Sequence, residues 1–432
     1  MGVLTLSRGA FICYPKKTPH MAQIFPFQPY RYSPRAGRIS DLVTQPYDKI
    51  SPEMRARYLG LNPHNLVRII LGEPLPSDDA AANVYTRAAN HLNDWIARGV
   101  LVREPQPRLF AYVQDFCVPD TGERLSRRGF IGLGAVEDYS AGVVHRHEQT
   151  LSGPKQDRLE LLRHTHAHFG QIFMLYPDPA REVDCVLEEC CQAPADQVVV
   201  DEYGAEHRLW KISDPARVSA IAGLMADKKL LIADGHHRYE TALAFRNENP
   251  GLAGAARVMM TFVNMHSPGL KILATHRLVS GLANFEAASF LTGVRKTFQV
   301  EEVSSPGQLQ SRWNGAPRGA IGAAIGDRLY LLQVRHPSDK LDVPILHEML
   351  LGEVLGISEE AVRAEKNLRY VRGLDKAIEA ARRGEAQIAF LLRPTAIDDV
   401  AAISFSGGVM PQKSTDFYPK LLSGLTIYKL DE

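Results

Sequence analysis

The segment IADGHHRYETAL, residues 232–243, constrains this chain more than any other stretch. A β-rich run, 230–234, ends at Asp234. Gly235 then permits a tight turn and close backbone approach. A helix follows over 239–250 and is ended by Asn249-Pro250. A strand that turns through glycine into a helix leaves the first helical amides unpaired, at the positive end of the helix dipole. Such a turn is an anion site. Arg238 can add a bidentate contact to phosphate. His236 and His237 can donate to phosphate oxygens or move protons. Asp234 could hold a magnesium ion or orient a hydroxyl. The plainer alternative is that Asp234 caps the helix and both histidines are solvated.

Around this turn the pattern is α/β with mixed sheets. Residues 66–71 (LVRIIL) read as a strand, and Asp79–Arg98 as a helix with apolar residues at helical spacing. Residues 108–118 and 127–137 read as a hairpin across the turn PDTGE. Helices fit 180–192 and 214–227, and 258–263 is a buried strand. In the last third, Gly326-Asp327 turns a hairpin, 345–356 is helical, and Leu374–Arg383 is a helix stopped by Gly384. QIAFLLR (387–393) reads as a buried strand, IDDVAAISFSGG as a helix, and LTIYKL as a last strand. No internal repeat marks a boundary. The chain length of 432 residues suggests two or three domains. The expected division is an extension over 1–20, a lobe over 21–175, a core over 176–300 carrying the turn, and a lobe over 301–432. Met21 opens the more orderly sequence, so either Met1 or Met21 could be the start.

Composition removes several classes. A formal net charge of +1 argues against a whole-protein field for nucleic acid. No apolar run approaches the roughly 18–20 residues of a membrane-spanning helix. Residues 1–20 lack the pattern of a signal peptide. Five cysteines without a C-x-x-C pair fit a reducing cytoplasm better than a disulfide scaffold. Expected partners are therefore a small-molecule substrate, with neither membrane nor nucleic acid.

Other loops carry candidate chemistry. HEQTLSGPKQDR places Glu148, Ser152, Gly153, Lys155 and Arg158 together. It is not a Walker A loop. Lys155 could still serve as a point charge on phosphate, and Glu148 as a metal ligand or general base. The alternative is a solvated loop capping the next helix. His276 and Arg277 stand at a strand end and could contact phosphate or carboxylate, or form an ordinary surface pair. Lys413, Ser414 and Thr415 lie between Pro411 and Pro419 and could close over an anion. Tyr47 and Asp48 are weaker candidates. Histidines 145, 147, 164, 166, 168, 236 and 237 raise a metal site as a rival. On a helix, however, His164, His166 and His168 would scatter around the axis, and no H-E-x-x-H occurs, so zinc is not expected.

The turn resembles the phosphate-binding turn of the ParB/sulfiredoxin superfamily. On the pattern D-G-H-x-R, the free-serine kinases are its nearest version. This resemblance implies that the backbone of 235–238 and the Arg238 side chain bind nucleotide phosphates, and that a ParB/sulfiredoxin-like core sits inside a larger multi-lobed α/β protein. From about Phe25 to Leu430 the chain also resembles an uncharacterised prokaryotic family, domain of unknown function 1015. The segments that carry this likeness are TQPYDKISPE, HEQTLSGPKQDR, IADGHHRYETAL, NMHSPGLKILATHRLV, LDVPILHEMLLG and MPQKSTDFYPKLLSGL. Gln45 departs from the family, which usually has a proline there. That family carries no reaction to transfer, and a shared fold is not a shared reaction.

Three functions follow as expectations. The first is a nucleotide-dependent phosphotransferase acting on a small hydroxyl metabolite such as an amino acid, with Mg2+ and a nucleoside di- or triphosphate, ATP or ADP above others. In it Asp234, His236, His237 and Glu148 are the catalytic candidates, and Asp234 and Glu148 the magnesium ligands. The second is a phosphate-ester or nucleotide hydrolase in the same pocket. The third is a ParB-like nucleotide-switched binding protein.

Overall fold

A computed structural model describes residues 22–148 and 152–431, the side chains of 152–154 excepted. The expected extension over 1–20 and the Ser152 side chain lie outside the described residues. The fold is mixed α/β, as the sequence pattern implies.

The larger sheet has nine strands. Its centre is the hairpin Leu109–Cys117 and Arg124–Ala135, which pairs in antiparallel register from Phe110↔Ile131 to Cys117↔Arg124. Arg257–Asn264 adds antiparallel to the second hairpin strand. Ile172–Tyr176 runs parallel to Arg257–Asn264 and antiparallel to Leu230–Asp234. This sheet therefore joins strands from both 21–175 and 176–300.

Strand alternation explains why helices cover both faces. Ile172, Met174, Tyr176, Leu230 and Ile232 point into one core with Val183, Leu187, Ile221 and Met225 of the helices Glu182–Cys190 and Pro215–Met225. Phe173, Leu175, Leu231 and Ala233 point into the other, with Leu159 and Leu162 of Ser152–Thr165 and Phe245 of His236–Glu248.

A second sheet of six antiparallel strands uses 276–391. The chain then returns to the core beside the first sheet. Phe417–Tyr418 pairs with Lys271–Ile272, and Tyr428–Lys429 with Ala167–His168. Buried Arg127 fastens this return by donating to the carbonyls of Tyr418 at 3.0 Å and Pro419 at 2.6 Å.

Several local readings change. LVRIIL is not a strand; Val67–Ile70 is helical. The Asn65 side chain accepts from the Val67 amide at 2.9 Å and starts a turn there. Tertiary burial of Val67, Ile69 and Ile70 overrides their β preference. The last strand shrinks to Tyr428–Lys429. The helix at 152 ends at Thr165, and His168 lies on the strand Ala167–His168, so histidines 164, 166 and 168 do not share one helix.

The return segment is packed closely enough to test. A Cβ on Gly254 would stand 2.1 Å from the Leu430 carbonyl oxygen. Gly254→Ala must displace the C-terminal backbone, and overpacking of this kind costs about 1–3 kcal/mol. The expected outcome is a lower thermal midpoint than wild type, measured by circular dichroism. An unchanged midpoint would contradict this packing.

Candidate active site

Strand Leu230–Asp234 delivers its last side chain to the start of helix His236–Glu248. Gly235 between them has φ +94°, a left-handed conformation that suits glycine. It is the N-cap residue, and no side chain caps the helix. The first helical bond runs from the Tyr239 amide to the Gly235 carbonyl at 3.0 Å. The amides of His236, His237 and Arg238 therefore have no intrahelical acceptor. The alternative of an Asp234 cap does not hold.

Asp234 is engaged elsewhere. One carboxylate oxygen accepts from Arg238 Nη2 at 2.7 Å and the other from Lys420 Nζ at 2.8 Å. Arg238 Nη1 donates to the Gln171 carbonyl. The guanidinium lies against Gly235, where a Cβ would be 3.0 Å from Nε and Nη2. Arg238, expected to grip phosphate, thus spends two donor groups on holding the turn.

The ion pairing continues outward. Lys420 Nζ is 3.3 Å from Asp416, which also accepts from Arg372 Nη2 at 2.8 Å. Burial pushes both carboxyls up, but the surrounding cations outweigh it. Lys420, Arg238 and Lys49 hold Asp234 well below the carboxylate range. Lys420, Arg372 and Lys49 bring Asp416 down to about 2. Lys420 is driven down by burial and up by Asp234 and Asp416, and the acids prevail.

Glu148 behaves oppositely. It bridges Met410 backbone to backbone, next to His147, whose carbonyl accepts from the Met410 amide at 2.7 Å. Burial raises its carboxyl to about 7, against the pull of Lys413, Lys420 and Lys49. His147 is fixed in one neutral form. Its Nδ1–H donates to the Ile232 carbonyl at 2.8 Å, so Nε2 accepts from the Thr415 hydroxyl at 2.7 Å. Burial lowers it to about 4. Burial, and then the neighbouring His147, keep His236 neutral as well. Burial also lowers His237, with Glu240 and Asp48 opposing.

The remaining candidates divide. Lys413 is exposed and has no ion-pair partner among the described residues. Thr415 touches His147. Ser414 is buried and donates within its own loop to the Pro411 carbonyl at 2.6 Å. Lys155 pairs with Glu240 at 2.8 Å on the helix that carries the turn. Asp48 is exposed, and its pair with Lys49 is loose at 3.7 Å. Tyr47 lies under Arg158, 4.2 Å from ring centre to guanidinium carbon.

His276 and Arg277 are not a surface pair. Both are buried. His276 Nδ1 accepts from the Leu392 amide at 3.2 Å, and Arg277 Nη2 donates to the Lys413 carbonyl at 2.9 Å. They steady the loop that presents Lys413. Lys49, Asp416, Lys420 and Arg372 were missed as site residues. Lys49 and Lys420 lie inside two of the quoted segments, TQPYDKISPE and MPQKSTDFYPKLLSGL, but no local pattern set them apart there.

Magnesium with a nucleotide needs only one or two protein carboxylates, the phosphates and water supplying the rest. Asp234 fits poorly, since both its oxygens face cations. Glu148 and Asp48 are the nearby carboxylates without a short ion pair. Among the described residues no group of three or more His, Cys, Asp or Glu is placed to hold a metal by itself.

The fold is α/β, and the strand Leu230–Asp234 turns through Gly235 into an uncapped helix. The chain belongs to the family described as Protein of unknown function (DUF1015), whose model matches residues 24–356. No curated protein matches it. Among solved structures, free serine kinase in complex with AMP is similar at TM-score 0.37 and 12% identity, over 67% of this chain and 88% of that one. A conserved hypothetical protein from Pyrococcus furiosus is similar at TM-score 0.36 and 14% identity, over 67% and 93%. SbnI with a C-terminal truncation, from Staphylococcus aureus, follows at 0.34 and 12%, over 68% and 87%. At these values the likenesses assign no activity to this chain. Among the described residues no helix is long and apolar enough to cross a membrane.

The raised Glu148 carboxyl makes a stability prediction. A folded acid whose pKa lies above its unfolded value binds its proton more tightly in the folded state. Its contribution is full below about 4.5 and is lost as pH rises through about 7. Glu148→Gln removes that loss. With a fifth of the side chain reaching solvent, the difference should be about 1–2 kcal/mol. The variant is expected to melt higher than wild type at pH 8 and equally at pH 4.5. Parallel melting curves across that range would refute the burial effect.

Proposed function

We propose that this chain is a nucleotide-dependent phosphotransferase acting on a small hydroxyl metabolite. One observation carries the reading: an uncapped helix terminus shares its surroundings with Lys49, Lys413 and a carboxyl that titrates near neutrality. Phosphoryl transfer asks chiefly for positioning and for positive charge around the moving phosphoryl group. The amides of His236 and Arg238 hold a phosphate, and Lys49 and Lys413 neutralise the charge spread over its oxygens. Glu148, ionised, takes the proton from the acceptor hydroxyl. The acceptor oxygen then bonds to the terminal phosphorus as the bond to the bridging oxygen breaks and the nucleoside diphosphate leaves. A magnesium ion accompanying the nucleotide would be held by its phosphates with Asp48, and would supply further charge neutralisation. His147 and His236, held neutral, add no charge of their own.

The test uses purified protein with magnesium and each of ATP, ADP, CTP and GTP, with and without a pool of hydroxyl metabolites. At least one nucleotide should raise the melting temperature and yield a phosphorylated acceptor by mass spectrometry. No shift and no consumption would remove the proposal, and release of free phosphate without an acceptor product would favour a hydrolase instead. Lys49→Met and Lys413→Met should lose most of the nucleotide-induced shift while keeping the melting temperature of the free protein.

Glu148→Gln should keep the nucleotide-induced shift and lower kcat by about 10²–10⁴-fold, the usual range for a general base. Since the base must be ionised, wild-type kcat/KM should fall about tenfold per pH unit below about 7. A profile flat from pH 5 to 8 would exclude Glu148 from that role.

A further inference from the structure

A large concavity lies away from the Gly235 turn. It is a cleft of about 990 Å³ between the second sheet's helical layer and the returning chain. One wall includes His347, Glu348, Ile357, Glu359, Val362 and Arg363, and the other is residues 409–412. The second wall also borders the site, because Met410 bridges Glu148 and Lys413 follows directly. Arg277 ties the two together. It donates to the Lys413 carbonyl, and its charge adds to the burial that lowers His347.

Two features of the His347 wall set it apart. Residues Leu346–Val354 form a π-helix, a rare conformation that is frequent at functional sites. His347 Nε2, within that helix, is buried and has no hydrogen-bond partner among the described residues. Buried polar groups without a partner are exceptions that call for an explanation.

We propose that this cleft is the acceptor site, and that it takes a neutral, partly apolar hydroxyl compound the size of an aryl glycoside. The proposal rests on the phosphotransfer reading above and adds the acceptor's size and charge. Pockets of about 300–1,000 Å³ enclose drug-sized ligands, so an amino acid as small as serine would fill only a small part of this one. The cleft's charges are already matched: Arg363 donates to Glu359 at 3.0 Å, and Lys340 pairs with Glu348. Neither a carboxylate nor an ammonium finds an unmatched partner there. Val362 and Val409 offer the apolar surface, and a hydroxyl pressed inward past them would meet the partnerless His347 Nε2. The acceptor hydroxyl would then meet the phosphate at the rim of the cleft, where Met410 bridges Glu148.

The test is saturation-transfer NMR on the full chain with magnesium and ADP, using serine, glycerol, phenyl glucoside and N-acetyltyrosinamide as probes. Val409→Trp and Val362→Trp fill the cleft from opposite walls, so one folded variant suffices. Phenyl glucoside or N-acetyltyrosinamide should bind wild type and bind either variant at least tenfold more weakly. The ADP-induced melting shift should be equal in all three proteins. Binding of serine or glycerol alone, of no probe, or of probes equally in the variants overturns the acceptor site while leaving nucleotide binding intact. Probe binding lost in the variants, with no ADP or ATP shift in wild type, overturns the phosphotransfer reading and the acceptor role with it.

Discussion

The ion pair between Asp234 and Lys420 is the contact on which the rest of the centre depends. It joins residues 186 apart in sequence, and both side chains are largely withdrawn from water. Desolvating two charges is costly, and the cost is offset only by good geometry and further partners. Both are present. Asp234 takes a cation on each oxygen, and Lys420 takes one carboxylate from a strand end and one from its own loop. The row runs from Arg372 through Asp416, Lys420 and Asp234 to Arg238, which ends on the Gln171 carbonyl. Removing one partner of such a buried pair costs about 3–5 kcal/mol, because the other charge is stranded. The row therefore does more than stabilise. It fixes the returning chain over the turn, and through Arg372 it fastens the second sheet to the first.

That dependence explains what was legible in the sequence. The β-run, the glycine turn and the helix at 232–243 could be read locally, since glycine, period and stop signal act within a few residues. The hairpins at 109–135 and 320–334 were readable for the same reason. Asp234 was recognised, but its partner was not, because nothing near Asp234 in sequence predicts a lysine 186 residues later. LVRIIL shows the complementary failure. Its composition favours a strand, yet Asn65 and the core around it make it helical. The histidines raise a metal site only as a rival, and two of them, His147 and His236, are held neutral by burial.

Arg238 illustrates how a motif can be right about a place and incomplete about a residue. Against Gly235, its guanidinium sits where any side chain would collide, so the glycine serves both the backbone turn and the arginine. The arginine in turn neutralises Asp234, which would otherwise repel an anion arriving at the helix terminus. Counting the row from Arg372 to Arg238 gives three cations against two carboxylates. The surplus is positive, and Lys49 and Lys413 add to it without forming short ion pairs among the described residues.

The same arithmetic bears on Glu148. A carboxyl within reach of several lysines would ordinarily be held strongly acidic, as Asp234 is. Glu148 differs because it makes no short contact with any of them. Its nearest ion-pairing neighbour is His147 at 3.9 Å, and His147 is neutral. Burial then outweighs the distant charges and brings the group near neutrality. Two carboxyls in one site thus have opposite characters for one reason, the distance to the nearest cation. A fixed, ionised Asp234 organises the turn. Glu148, free to gain and lose a proton near pH 7, is the group whose protonation state can change during a reaction.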